Sequence, residues 1–230
     1  MPLGLGLKQV VPNQWLPSQI TGYNFDYDAA TLTPGAITTW PSKYGGSDTV
    51  AHYALTGTAT AHAAGGPNGA AYVSGNGSSD LLTEDNQNSQ TVAKELYIVA
   101  KFDTSGGASG TLWDSGVTNT GRIYRPSAGH VELLLSGALG PAACSDTEIW
   151  SIWHVIADGT DGELDIDGVA VLPFQAYATT FLNGVSMFNV PATGDAAQAS
   201  IARAIGFTVA LTSTQRTQMA TYLKILYNVT

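Results

Sequence analysis

ELYIVAKF, residues 95–102, decides the reading of this chain. Leu96, Ile98, Ala100 and Phe102 fall on one face at a period of two, and Tyr97, Val99 and Lys101 on the other. Alternation of that kind, rich in β-branched and aromatic side chains, describes a strand packed on both faces. Downstream, GTLWDSG (110–116), GRIYRP (121–126) and HVELLLSG (130–137) follow at intervals close to ten residues, each bounded by Gly or Pro. IWSIWHVIADG (149–159) and ELDIDGVAVLPF (163–174) continue the rhythm. Short strands punctuated this regularly belong to sandwiches and not to β-α-β units. The Asp-Gly pairs at 158–159, 161–162 and 167–168 are expected to supply the positive φ of tight hairpins.

Upstream, YNFDYDAATL (23–32), AITTW (36–40) and TVAHYALTG (49–57) read as early strands separated by TPG and YGGSD turns. GGPNG (65–69) and GNGSSD (75–80) frame AAYV (70–73) as a short strand. The rhythm breaks in SIARAIGFTVALTSTQRTQMATYLKILYN (200–228): after a strand centred on Ile205, the spacing of Met219, Tyr222, Leu223 and Leu226 becomes helical. Thr212 followed by Gln215 fits a capping box, and Lys224 near the end suits the helix dipole. The expected fold is therefore all-β, an antiparallel β-sandwich with one short C-terminal helix.

Composition agrees. Only 12% of the 230 residues are charged and 26 are Gly, which suits strands joined by tight turns better than long solvated helices. A hydrophobic fraction of 44% supports a folded core. The net charge of −9 repels phosphate backbones, so nucleic acid is not an expected partner. Five of the eighteen acids lie between Asp158 and Asp167, whereas residues 196–230 carry Arg203, Arg216 and Lys224 and no acid, a basic end that helix-dipole compensation would explain. Cys144, the single cysteine, leaves no intrachain disulfide and no thiolate zinc cluster. No run of about eighteen apolar residues and no leader pattern is visible, so the expectation is a chain made in the host cytoplasm with no membrane partner.

Residues 1–20, MPLGLGLKQVVPNQWLPSQI, follow no strand or helix period yet are too apolar for a solvated tail. They are read as a docking arm in which Leu3, Leu5, Leu7, Val10, Val11, Trp15 and Leu16 contact a partner, with the sandwich proper spanning 21–230. The alternative is that the arm packs back on its own sandwich.

Several pieces, in this order, resemble the laminin G-like (concanavalin A-like lectin) jelly roll. They are Asp28-Ala29-Ala30-Thr31-Leu32, Trp40 with Lys43-Tyr44-Gly45-Gly46, GPNGAAYVSGNGSSDLL (66–82), ELYIVAKF and WHVIADGTDGELDIDGVAV (153–171). An ending with Leu211, Thr212 to Gln215, Tyr222-Leu223 and Tyr227 completes the series. The resemblance runs from about residue 23 to the end and implies the sandwich. Arg203 stands where the family usually has an acidic residue in its last strand, and no metal or cofactor is expected. The opening MPLGLGLK is similar to the starts of phage-encoded members.

Candidate chemistry is sparse. Glu163-Leu164-Asp165-Ile166-Asp167 imitates the carboxylate row of some jelly-roll glycoside hydrolases, since period two puts the three acids on one face. A hairpin turning at Asp167-Gly168, with Leu164 and Ile166 in the core and the acids toward water, is the preferred reading. His52, His62, His130 and His154 show no metal-ligand spacing, and there is no G-x-S-x-G elbow and no phosphate loop. Trp113, Trp150 and Trp153 are expected in packing roles, whereas Trp40, Tyr23, Tyr27, Tyr44 and Tyr53 are candidates for stacking on sugars. The sequence thus reads first as a non-enzymatic phage virion protein: a capsid-decoration, head-fibre or tail-associated component that docks on other virion proteins through its arm and forms homo-oligomers. The alternative is a carbohydrate-binding module for host-surface glycan, and a glycoside hydrolase comes third.

Overall fold

Residues 95–102 form a strand near the middle of a sheet, in a computed structural model that describes residues 15–43, 54–84, 94–103, 109–115, 121–135, 138–144, 147–157, 161–176, 185–189 and 195–229. In chain order the described strands are β1 (Tyr23–Asp28), β2 (Gly35–Pro41), β3 (Ala54–His62), β4 (Tyr72–Ser74), β5 (Leu81–Glu84) and β6 (Glu95–Phe102). Then come β7 (Gly110–Asp114), β8 (Arg122–Arg125), β9 (His130–Leu134), β10 (Ala138–Ala143) and β11 (Ser151–Ala157). The series ends with β12 (Asp161–Ile166), β13 (Val169–Ala176), β14 (Ser186–Met187), β15 (Ala199–Phe207) and the helix α1 (Ser213–Tyr227). No described helix is long and apolar enough to cross a membrane.

Hydrogen bonding runs along one path, β10-β9-β8-β7-β14-β5-β3-β4-β15-β6-β11-β12-β13, with β1 beside β15 and β2 beside β3. The path doubles back at the short strand β4, which pairs β3 on one side and β15 on the other. Two layers result, and their inward side chains make one core. Phe25 of β1 stacks on Trp113 of β7, 5.6 Å between ring centroids, although those strands share no hydrogen bonds. Leu96, Ile98, Ala100 and Phe102 all enter this core, as the alternation requires. The antiparallel sandwich expected from the sequence is therefore the observed fold.

A second apolar cluster lies on the outer face of the β15-β6-β11 layer. Tyr97, Val99, Ile152, Ile205 and Phe207 of the sheet are covered there by Met219, Leu223 and Tyr227 of α1. Burying a side chain of this size contributes about 1.5–3 kcal/mol, so three such residues hold the helix to the sheet. The helix starts at the capping box: Thr212 Oγ1 accepts from the Gln215 amide at 3.3 Å, and Gln215 Oε1 accepts from the Thr212 amide at 2.9 Å. Asn228 ends it in the left-handed conformation, φ 50°. The stripe expected from the sequence holds at Met219 and Leu223, with Tyr222 half-buried, but its last place is taken by Tyr227, and Leu226 is 39% exposed.

Two further expectations change, and three strands are new. Asp167 and Gly168 have φ of 55° and 84° and make the hairpin between β12 and β13, but Asp161-Gly162 lies inside β12. The pair at 158–159 lies outside the described residues. Trp40 and Tyr27 are wholly buried and Tyr23 is 8% exposed, so these rings pack the interior and present no stacking surface; Tyr44 and Tyr53 lie outside the described residues. Strands β5, β10 and β14 carry too little periodicity to be read from sequence, being short or, in β10, interrupted by Pro141.

Candidate functional site

Register across three neighbouring strands builds the site. His154 of β11 lies opposite Tyr97 of β6 on one side and Asp165 of β12 on the other; two residues along, Ile156 lies between Glu95 and Glu163. Alternation sends all of these outward, because Leu96, Val155 and Leu164 face the core. The outer face therefore carries two cross-strand rows, Tyr97-His154-Asp165 and Glu95-Ile156-Glu163. Helix α1 covers the β6 end of the rows and leaves the β12 end open.

The result is a cleft of about 350 Å³, walled by Tyr97, Ile152, His154, Ile156, Glu163, Asp165 and Asp167 from the sheet and by Arg216 and Lys224 from the helix. At its inner end Glu95 is fully buried and is satisfied from three elements. It accepts from the Leu211 amide at 2.7 Å and from Arg216 Nη2 at 2.5 Å, and it lies 3.1 Å from His154 Nε2. Arg216 sits in the first turn of α1, where the dipole opposes a cation; Glu95, not dipole compensation, holds it there. The imidazole of His154 stacks on Tyr97, 4.1 Å between centroids and 9° from parallel.

Charges in the cleft are interlocked. Burial alone would depress the His154 pKa, but hydrogen bonds to Asp165 (3.4 Å) and Glu95 outweigh it and hold the imidazolium above its ordinary 6.5. For Asp165 burial acts upward, yet the bond and charge of His154 keep it below its ordinary 3.8. Glu163 moves the other way: burial, then the charge and hydrogen bond of Asp165, push it up to about 7 against the pull of His154 and Arg216. Asp167 accepts from the Ile152 amide at 2.7 Å. Two adjoining carboxyl groups with pKa values pushed apart give one proton donor and one anionic acceptor near neutral pH. That arrangement can bind hydroxyl groups in both senses or exchange a proton with a bound molecule.

A second buried pair lies elsewhere on the same face. Arg203 of β15 meets Asp26 of β1 in a two-pronged contact, Nε–Oδ1 2.7 Å and Nη2–Oδ2 2.5 Å, and its Nη1 donates to Tyr222 of α1 at 2.7 Å. The position where the resemblance placed an acid is thus a structural cation that ties three elements together. Among the described residues no group of His, Cys, Asp and Glu is arranged to hold a metal.

Of the residues singled out in the sequence, Glu163, Asp165 and Asp167 do share a face, and the hairpin and the acid row are one feature. Glu95, Tyr97, His154 and Arg216 carry no site signal in the sequence, since only strand register and helix docking bring them together. Trp15 is half-buried and meets Tyr222 edge-on at 6.2 Å, while Leu16 is 44% exposed. Leu3, Leu5, Leu7, Val10 and Val11 lie outside the described residues. Trp113 and Trp153 are core residues, and Trp150 is half-buried beside Tyr72 with Lys101 5.8 Å over its ring.

No family model matches the chain, and no curated protein matches it. Solved structures do. Domain 4 of AbnA, a GH43 extracellular arabinanase from Geobacillus stearothermophilus solved in complex with arabinotriose, matches with a TM-score of 0.61 at 13% identity, over 87% of this chain and 100% of that one. Trypanosoma rangeli sialidase in complex with the inhibitor DANA matches with a TM-score of 0.60 at 10% identity, over 90% of this chain and 34% of the sialidase. The chain spans about a third of the sialidase's length. These matches correct the expectation of a non-enzymatic protein: the chains that share the fold are parts of enzymes, so the fold gives no ground for setting catalysis aside. Nothing among them points to phage. The fold of this chain is thus shared with a domain of an arabinanase and with part of a sialidase chain.

Proposed function

We propose that this chain is a carbohydrate-binding β-sandwich and that the cleft beside α1 is its glycan site. The observation that carries the reading is the cleft itself. Hydrogen-bonding groups on neighbouring strands (His154, Glu163, Asp165) line, together with Ile152 and Ile156, a concavity at the small end of the ~300–1,000 Å³ range of small-molecule sites. A glycan needs that mixture, because each hydroxyl both donates and accepts while the ring faces are apolar. The domain-sized match to an arabinanase domain holding arabinotriose supports the same ligand class. Attachment to a virion, docking through residues 1–20 and homo-oligomerisation rest on the sequence and stand as proposals beside it.

The test is isothermal titration of the full chain with neutral oligosaccharides, arabinotriose first. Saturable binding in the micromolar to millimolar range, lost in Asp165→Ala, is the expected result. Absence of heat at millimolar ligand across a broad oligosaccharide panel would remove the reading.

A further inference from the structure

Helix α1 carries a second stripe beside the one that packs on the sheet. Met219, Leu223 and Tyr227 enter the outer-face cluster, whereas Thr217, Gln218, Thr221, Tyr222 and Ile225 stand at helical spacing on an adjoining side. With Trp15 they line a shallow groove of about 200 Å³. None of the six is charged, and threonine methyls, aromatic rings and a branched aliphatic chain make the lining largely apolar. Ile225 is 71% exposed, and Leu16, next in the chain to Trp15, is 44% exposed. An apolar surface of this kind marks a place where another segment packs.

The path of the chain decides which segment reaches it. Trp15 is one wall of the groove, so residues 1–14 join the fold at the groove itself. They include Leu3, Leu5, Leu7, Val10 and Val11, and their only charged side chain is Lys8. The arm as a whole keeps no period, but Leu3-Gly4-Leu5-Gly6-Leu7, when extended, sets three leucines along one edge. That edge is about 13 Å long at about 3.3 Å per residue. The groove runs from Thr217 to Ile225, about 12 Å of helix at about 1.5 Å per residue. Val11-Pro12-Asn13-Gln14 has Pro and Asn in the two central places of a reverse turn, which lets the chain double back directly before Trp15. The tether holds the arm beside the groove at an effective concentration of about millimolar, an advantage that a second copy's arm lacks.

We propose that residues 3–11 fold back on their own chain and seat Leu3, Leu5 and Leu7 in this groove, as a strap along α1. The segment that reads as a docking arm in the sequence thereby finds its surface on its own sandwich. Thr217 borders both groove and cleft, so the strap lies against the helix that brings Arg216 and Lys224 to the cleft and steadies that wall. It does not depend on what the cleft binds.

Limited trypsin digestion of the full chain, followed by mass spectrometry, tests the strap, because Lys8 is the only trypsin site before Lys43. Cleavage after Lys8 is expected to be at least tenfold slower in the parent than in Ile225→Glu, which puts a charge in the groove at an exposed position. The same acceleration is expected when Leu3→Ser, Leu5→Ser and Leu7→Ser are combined, with circular dichroism unchanged in both variants. The combined variant should also move the amide signals of Gln218, Thr221 and Ile225 in ¹⁵N-labelled protein. Protection of Lys8 in the parent should survive a hundredfold dilution of the protein. Equal cleavage rates in the parent and both variants overturn the proposal. So does protection that fades on dilution, which would give the groove to a second copy's arm. Protection lost in the leucine variant but kept in Ile225→Glu, with the three amide signals unmoved, would seat the arm elsewhere and overturn it as well.

Discussion

Glu95 is the residue on which the outer face turns. It is fully buried, yet it takes bonds from the chain entering α1, from the first turn of α1 and from the neighbouring strand. Its removal would leave Arg216 and His154 as buried or half-buried cations without their anion, an outcome that costs about 3–5 kcal/mol at comparable sites. Glu95→Ala is therefore expected to lower stability by that order in urea denaturation, and a loss under about 1 kcal/mol would show that the cluster is ornamental. Nothing in the sequence singles Glu95 out, because it is one acid at the edge of a strand whose alternation reads well. What the alternation does say is that Glu95 and Tyr97 share a face; that the face belongs to a helix and a cleft is decided by partners more than 50 positions away. Gly206 is similar: a Cβ there would meet the Phe25 ring at 2.2 Å, a closeness no local pattern announces.

Helix α1 is the most legible element in the sequence, and its physics is local at one end only. The capping box is written in Thr212 and Gln215, so Thr212→Ala should cost about 0.5–2 kcal/mol, measured by thermal or urea unfolding. Its docking rests on the buried contacts of Met219, Leu223 and Tyr227, and the charges of the adjoining cleft add a pH dependence. His154 has a folded-state pKa above 6.5, so its contribution is complete below 6.5 and is lost as pH rises through the folded value. Glu163 also binds its proton more tightly when folded, so stability falls as pH rises from about 4.5 to about 7. Stability is accordingly expected to decline between pH 5 and pH 8, and Glu163→Gln should flatten the lower part of that decline. A profile that rises over this interval in the parent chain would contradict the charge assignments. The helical spacing places Met219 and Leu223 and misses the last buried position, Tyr227, which follows Leu223 by four residues on the same face.

At the scale of the whole molecule, the turn rhythm and the alternating strands are sufficient for an antiparallel sandwich, because each feature is local. Strand order is not legible in this way, since no local pattern shows that β4 pairs both β3 and β15 and so folds the sheet onto itself. The site suffers most from this: its rows cross β6, β11 and β12, and its lid comes from the far end of the chain. The acid row of 163–167 is visible in the sequence, and its companions are not. The sandwich therefore draws its proposed function from one outer face of one layer, where three strands and a helix leave a polar cleft partly open. The most direct measurement of that claim is an amide-shift titration of ¹⁵N-labelled protein with arabinotriose. Saturable shifts concentrated on the cleft residues Tyr97, His154, Glu163, Asp165, Asp167 and Arg216 are the predicted result. Saturable shifts that leave these residues unmoved and gather elsewhere on the sandwich would contradict it.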